Sequence, residues 1–398
     1  MEAKTEPKAA SAGEPRPILL VGNAGEPIEL TGVKLAGFSA ENARAGEVVR
    51  VWTKLALTSD EPIFHRMVEG LSGSLAAHAQ EAGRPINLTR ASSVLLVIRP
   101  DETAHLRVDS AAVVMNALAK SAVKAGTPVF ERDIADVTEL RFPAVDIKPT
   151  DRLLYLFRED WRFALFFDFN PEGNLSLDEA ARTLGALYRN LKYRHLYDAL
   201  SNEVVFGRLV QAGWFPFADI IRQEFKSLAL ASEAGFALDD AETELCRKFD
   251  DERLERMFAR WVAKPHFKPK EPILRSAIDA YKAKNWISVL KTVLTEIEGI
   301  LQEAHRASTG SSAKIDRLLK FAVETAERKA GGSDTLLFTA AFAKYLESNT
   351  FAHFDPSAND VTAGSRHAVG HGAARAATYT QVRALQALLT LDQFAFYT

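Results

Sequence analysis

Apolar residues recur in two different rhythms along this 398-residue chain. In the first part they come in short β-rich runs at 18–21, 28–38, 48–57, 93–98 and 104–108, bounded by Gly, Pro, Asn or Asp, as strands are. Two segments there carry helical spacing instead: 62–82, and 111–125, which stops at Gly126. Residues 138–169 read as strands again. Runs 153–158 and 163–169 flank the polar Glu159-Asp160-Trp161-Arg162, a hairpin signal. Asn170-Pro171-Glu172-Gly173-Asn174 then breaks the chain. Ser176, with Glu179 three positions later, has the form of a capping box opening a helix to about residue 200.

Beyond Ser201 helical periodicity dominates, over 203–229, 239–262, 273–284, 286–307, 313–330, 335–346 and 382–396. Within 286–307, Ile287, Leu290, Val293, Leu294, Ile297, Ile300 and Leu301 step by three and four, which predicts one buried face. Residues 263–272 hold Pro265, Pro269 and Pro272 and read as a linker. The fold class expected is α+β: a disordered tail (1–16), an α+β N-terminal domain (17–200), a helical connecting region (201–264) and a helical bundle (265–398).

Composition narrows the function classes. A chain 47% hydrophobic and 25% charged has apolar material for full cores, and a net charge of -3 provides no global field for nucleic acid or membrane, so any basic site is local. The single cysteine, Cys246, excludes an internal disulfide framework and a Cys-rich zinc site, and is expected as a small buried helix residue. The polar start MEAKTEPKAASAGEPRP lacks the apolar core of a signal peptide, and no run approaches a membrane span. A soluble cytoplasmic protein without membrane partners is the expectation.

The densest chemistry lies at Ser365-Arg366-His367-Ala368-Val369-Gly370-His371-Gly372. Metal-independent RNA cleavage needs a base for the ribose 2′-hydroxyl, a task suited to histidine, and a cation for the charge on the pentavalent phosphate, a task suited to arginine. On a straight helix Arg366 and His371 stand about 140° apart, so a long side chain or a partner subunit has to complete such a site. The same spacing also arises in helical proteins with no such role. A further reading pairs His367 with His371 as zinc ligands, with His353 and Asp360 as loosely placed companions.

The stretch 365–372, followed by Tyr379 and an Ala/Leu-rich helix ending Leu389-Thr390-Leu391-Asp392, resembles the C-terminal motif of HEPN domains (higher eukaryotes and prokaryotes nucleotide-binding). The family pattern is arginine, a polar residue, a few more residues and histidine. Arg366, His367 and His371 match it, with Gly372 following, while Ser365 stands where bacterial members often have Asn. Residues 277–301, with Glu298-Gly299-Ile300-Leu301 near the end, are similar to the family's earlier helix pair, so the resemblance covers 255–398. It implies a bundle that dimerises, bringing two Arg-x4-His motifs into one cleft that cuts RNA without a metal or cofactor. Arg366 and His371 would be the catalytic pair and His367 the supporting polar residue. The family's members serve in phage defence, toxin and stress systems, which adds an antidote or regulatory protein to the possible partners and gives the N-terminal region a sensing or restraining role. Other members have lost activity and act as dimerisation and interaction modules, the alternative reading.

Three more motifs have plainer readings beside them. Residues 168–179 place oxygen donors like a calcium loop, yet follow a strand, contain Pro171 and have no partner hand; a turn with the Ser176/Glu179 cap explains the same residues. The basic and aromatic run 188–197 fits an RNA-stacking face or packed tyrosines with solvated charges. Trp214-Phe215-Pro216-Phe217 reads as core or inter-domain packing.

Overall fold

Strand β5 (Ser93–Ile98) is apolar at five consecutive positions because both of its faces are covered. The structure is a computed structural model describing residues 22–34, 38–39 (backbone alone), 43–49, 51–352, 365–370 and 372–398. The tail 1–16 and the strand expected at 18–21 lie outside the described residues. Strands β1 (Ile28–Leu30), β4 (Lys54–Thr58), β6 (Ala104–Val108), β9 (Arg152–Glu159) and β10 (Arg162–Asp168) join β5 in one antiparallel sheet, ordered β1-β6-β5-β9-β10-β4. Val94, Leu96 and Ile98 pack with Phe64, Met67 and Leu75 of α1 (Pro62–Glu81). Leu95 and Val97 face the other way, onto Leu184, Leu187 and Leu191 of α2 (Leu177–Lys192). Each such buried aliphatic side chain contributes about 1.5–3 kcal/mol.

Two short hairpins stand apart from this sheet: β2 (Phe38–Ser39) with β3 (Val51–Trp52), and β7 (Val114–Ala119) with β8 (Ile134–Arg141). The strand expected over 48–57 is therefore two strands, β3 and β4, and 28–38 holds β1 and β2 rather than one strand. The helix expected over 111–125 is not formed; β7 takes its place. Its Ala-rich pattern offers a helix little apolar area to bury, whereas the Val113-Val114 start and the partner strand β8 favour an extended chain. α2 passes so close to β8 that a Cβ on Gly185 would stand 2.5 Å from the Thr138 carbonyl oxygen.

The β9–β10 hairpin forms as expected. Its two-residue loop pairs Arg162 with Glu159, and Asp160 takes the left-handed φ of 53° that the loop requires. The expected cap also forms, with Ser176 Oγ accepting from Glu179 N at 3.3 Å. The Glu179 carboxylate turns instead to Lys54 Nζ, 3.0 Å away. In the calcium-like loop 168–179, Asp168 Oδ1 accepts from Asn170 N, Asn170 Oδ1 accepts from Asn174 N at 2.7 Å, and Lys54 pairs with both Asp168 and Glu179.

Helices follow: α3 (Arg194–Ser201), α4 (Glu203–Gln211), α5 (Gln223–Glu233), α6 (Asp239–Arg247), α7 (Asp251–Val262), α8 (Glu271–Lys282), α9 (Trp286–Thr309), α10 (Ile315–Ala330), α11 (Thr339–Ser348), α12 (Arg366–Gly370) and α13 (Gln381–Tyr397). Three helices expected as continuous are each split in two. α2 and α3 part at Tyr193, whose side chain turns into the core. α4 and α5 are separated by Gly213 at φ 85° and the buried Trp214, Phe215 and Phe217, the core packing expected of that cluster. Asp250 Oδ1 caps α7 by accepting from Arg253 N at 2.8 Å, ending the run from α6. Apolar spacing survives each break because both pieces bury the same side, so periodicity does not mark it.

One apolar cluster runs from Tyr193 through Trp214, Trp261 and Phe267 to Tyr397, and so crosses the proline-containing stretch 263–272. α9 buries Leu290, Val293, Leu294, Ile297, Ile300 and Leu301 as its spacing predicts, while Ile287 stays exposed. α13 is buried all round from Ala384 to Phe396, so its polar side chains need partners. Gln386 Nε2 donates to the Ala212 carbonyl at 2.8 Å, and Gln393 Oε1 accepts from Ala218 N at 2.8 Å.

The sheet half is fastened to the helices by a buried polar group. Arg189 of α2 reaches the Val137 carbonyl and Asp334, and the Thr335 hydroxyl donates to Asp136 of β8. Arg189 thus departs from the solvated charge expected on 188–197, while Tyr193 of that run packs inward and Lys192 pairs with Glu159. Cys246 is buried on α6, as expected. Among the described residues no helix is long and apolar enough to cross a membrane.

Candidate functional site

The Arg366 motif is built on α12, a helix of five residues laid against α9. Three contacts position it. Arg366 N donates to the Thr350 carbonyl at 2.8 Å, Ala368 N donates to the buried Ser365 Oγ at 3.3 Å, and Ala368 and Val369 turn into the core. Past the described helix, Gly372 takes φ 71° and its N–H returns to the Val369 carbonyl at 3.2 Å. A left-handed residue closing a helix end is the place for glycine, which gives the His-Gly pair of the motif a backbone reason.

The Arg366 guanidinium leans across to α9, where Nη1 lies 2.7 Å from Glu298 Oε2. Both side chains stay partly open to solvent, 31% and 26% exposed. The Glu298 carboxylate holds the guanidinium through Nη1, a charge-assisted contact. His367 sits half-buried on the same turn. His371, the third residue of the expected constellation, lies outside the described residues, as do His353 and Asp360 of the zinc reading. Among the described residues the helix runs Arg366–Gly370. Among the described residues no group of three His, Cys, Asp or Glu side chains is placed to hold a metal ion.

Glu298 was legible as a motif residue in the run Glu298-Gly299, but nothing local pairs it with Arg366, 68 positions on. The neighbouring Gly299 is not needed for space, since a Cβ there meets Lys270 Nζ at an ordinary 3.6 Å.

A second charged cluster joins the segment before α5 to α7 and α13. Asp219 accepts from Arg253 Nε at 2.9 Å and Arg260 Nη2 at 3.1 Å, and Asp392 of α13 accepts from Arg260 Nε and from Trp261 Nε1. Burial pushes the Asp219 carboxyl up, but the cations around it outweigh burial and hold it below the usual carboxylate range. At Asp392 burial wins over the pull of Arg260, and the carboxyl is raised. Sequence spacing held no sign of this cluster, whose members come from distant segments. No family model, curated protein or solved structure matches the chain, so its chemistry rests on these residues.

Proposed function

We propose that the protein is a HEPN-type endoribonuclease that works without a metal and as a homodimer, in phage defence or a related toxin or stress system. The observation that carries the reading is the Arg366–Glu298 pair, because it joins at 2.7 Å the two separate stretches on which the HEPN resemblance rests. An oriented, partly open guanidinium on a helical bundle is suited to the charge that builds on a phosphate in flight. In the proposed reaction His371 takes the proton of the ribose 2′-hydroxyl. The oxygen attacks the adjacent phosphorus to form a 2′,3′-cyclic phosphate, Arg366 stabilises the pentavalent state, and the 5′-oxygen leaves as its P–O bond breaks, taking a proton from water. His367 orients the group as its polar support. The N-terminal sheet domain senses the trigger or restrains the nuclease.

The same ion pair also favours a second reading, a dimerising interaction module in which Arg366 clamps α12 to α9. Purified full-length protein incubated with total and transfer RNA, with and without chelator, separates the two. The nuclease reading expects chelator-resistant cleavage that disappears in His371→Ala and Arg366→Ala while both variants remain folded. Cleavage unaffected by both substitutions defeats it, and loss of folding in Arg366→Ala without any wild-type cleavage supports the clamp.

A further inference from the structure

A polar cleft of about 810 Å³ opens between the β7–β8 hairpin, the α2–α3 junction, α5 and α7. Nine Lys or Arg side chains line it against six Asp or Glu, so its wall is positive although the chain as a whole is negative. Each of the six carboxylates already accepts from a protein donor. Among the described residues, Lys120, Arg132 and Lys226 have no carboxylate at ion-pair distance.

Lys120 is the telling member. It follows β7, is 8% exposed, and its Nζ has no hydrogen-bond or ion-pair partner among the described residues, yet it lines the cleft. Its backbone is held at both ends: Lys120 N donates to the Asp133 carbonyl at 2.7 Å, and its carbonyl accepts from Arg260 Nη1 at 3.2 Å. Burial pulls its ammonium below the ordinary lysine range, with Asp219 opposing. A desolvated cation with no carboxylate in ion-pair contact is costly, and an anion in the cleft would offset that cost.

We propose that this cleft binds a small phosphorylated ligand, with Lys120 meeting phosphate oxygens at the floor and Arg132 and Lys226 at the rim. Several separated cations with an excess of positive charge fit a multiply charged phosphate better than a single carboxylate. The volume is that of a small-molecule site, and a nucleic-acid backbone crossing the surface would meet the rim rather than a floor lysine. The cleft shares no residue with α12, so the proposal is independent of the nuclease reading.

The test is calorimetry and thermal unfolding of the full chain with tripolyphosphate, ATP and a short single-stranded RNA. Saturable one-to-one binding of tripolyphosphate or ATP is expected, weakened by about tenfold or more in Lys120→Met. Arg366→Ala is expected to leave that binding unchanged. ATP binding well above tripolyphosphate marks a nucleotide as the source of the phosphate chemistry; equal binding marks the polyphosphate group itself. Should Lys120→Met fail to fold, the exposed pair Arg132→Gln and Lys226→Gln carries the test, with weaker binding expected. The proposal is overturned by no saturable binding of either phosphate compound. It is also overturned by binding that none of these substitutions alters, or by RNA that binds through Lys120 and excludes tripolyphosphate.

Discussion

Arg260 Nε donates to Asp392 Oδ1 at 3.0 Å, and this pair ties α7 to the buried C-terminal helix α13. Trp261 Nε1 donates to the same oxygen at 2.8 Å, so one carboxylate satisfies two buried groups. Asp392→Ala leaves the guanidinium and the indole N–H without that acceptor. The expected cost is about 3–5 kcal/mol of stability, the range for removing one partner of a buried ion pair. Asp392→Asn keeps an acceptor oxygen and should lose less. Urea unfolding of the three proteins measures both, and an alanine variant as stable as wild type would contradict the network.

Asp136 sets a pH window. Burial pushes its carboxyl up to about 6 from the ordinary 3.8, against the pull of Arg189 and the Thr335 hydroxyl. Below the unfolded value both states hold the proton. Between pH 3.8 and about 6 the native protein keeps a proton that the unfolded chain has released, so this group's contribution to stability falls as pH rises, by roughly 3 kcal/mol. Above about 6 it is flat. Unfolding midpoints of wild type and Asp136→Asn across that window should diverge in slope and run parallel above it. Parallel curves throughout would remove Asp136 as the source.

Arg366 and Glu298 predict a graded loss of RNA cleavage, conditional on the proposed nuclease. Arg366→Ala should lower the rate about 10²–10³-fold, the scale of losing one group that stabilises developing charge. Glu298→Gln leaves the guanidinium present but less firmly oriented, and a loss of about tenfold is expected. If Glu298→Gln were as damaging as Arg366→Ala with folding intact, the carboxylate would have a direct part in the chemistry.

Cys246 should be inert in the folded protein. Burial pushes its thiol up to about 11, so almost no thiolate is present at neutral pH. A thiol-reactive dye is expected to label no cysteine in the native chain and the single cysteine after denaturation. Rapid native labelling would show that α6 opens readily.

How far the residues could be read locally differs from element to element. α9 announced itself because its three-and-four spacing over 286–307 agrees with the burial found. The β9–β10 hairpin was equally plain, since a polar loop between two apolar β-rich runs is a short-range signal. β7 was misread as helix because Met115, Ala117, Leu118 and Ala119 are good helix formers on their own, and only pairing with β8 makes the extended chain win. The helix breaks at Tyr193 and Asp250 were hidden for the opposite reason, as the apolar rhythm continues across them.

The chain's own pattern of apolar spacing, caps and turn residues settled the α+β class, the sheet hairpin, the long bundle helices and the burial of Cys246. Those features depend on neighbours a few residues apart. The pairing of Arg366 with Glu298, the buried ammonium of Lys120 in a basic cleft, and the shared carboxylate of Asp392 belong to packing. Each joins segments dozens to hundreds of positions apart, and no local propensity encodes which distant helix a charged side chain will meet when the core closes.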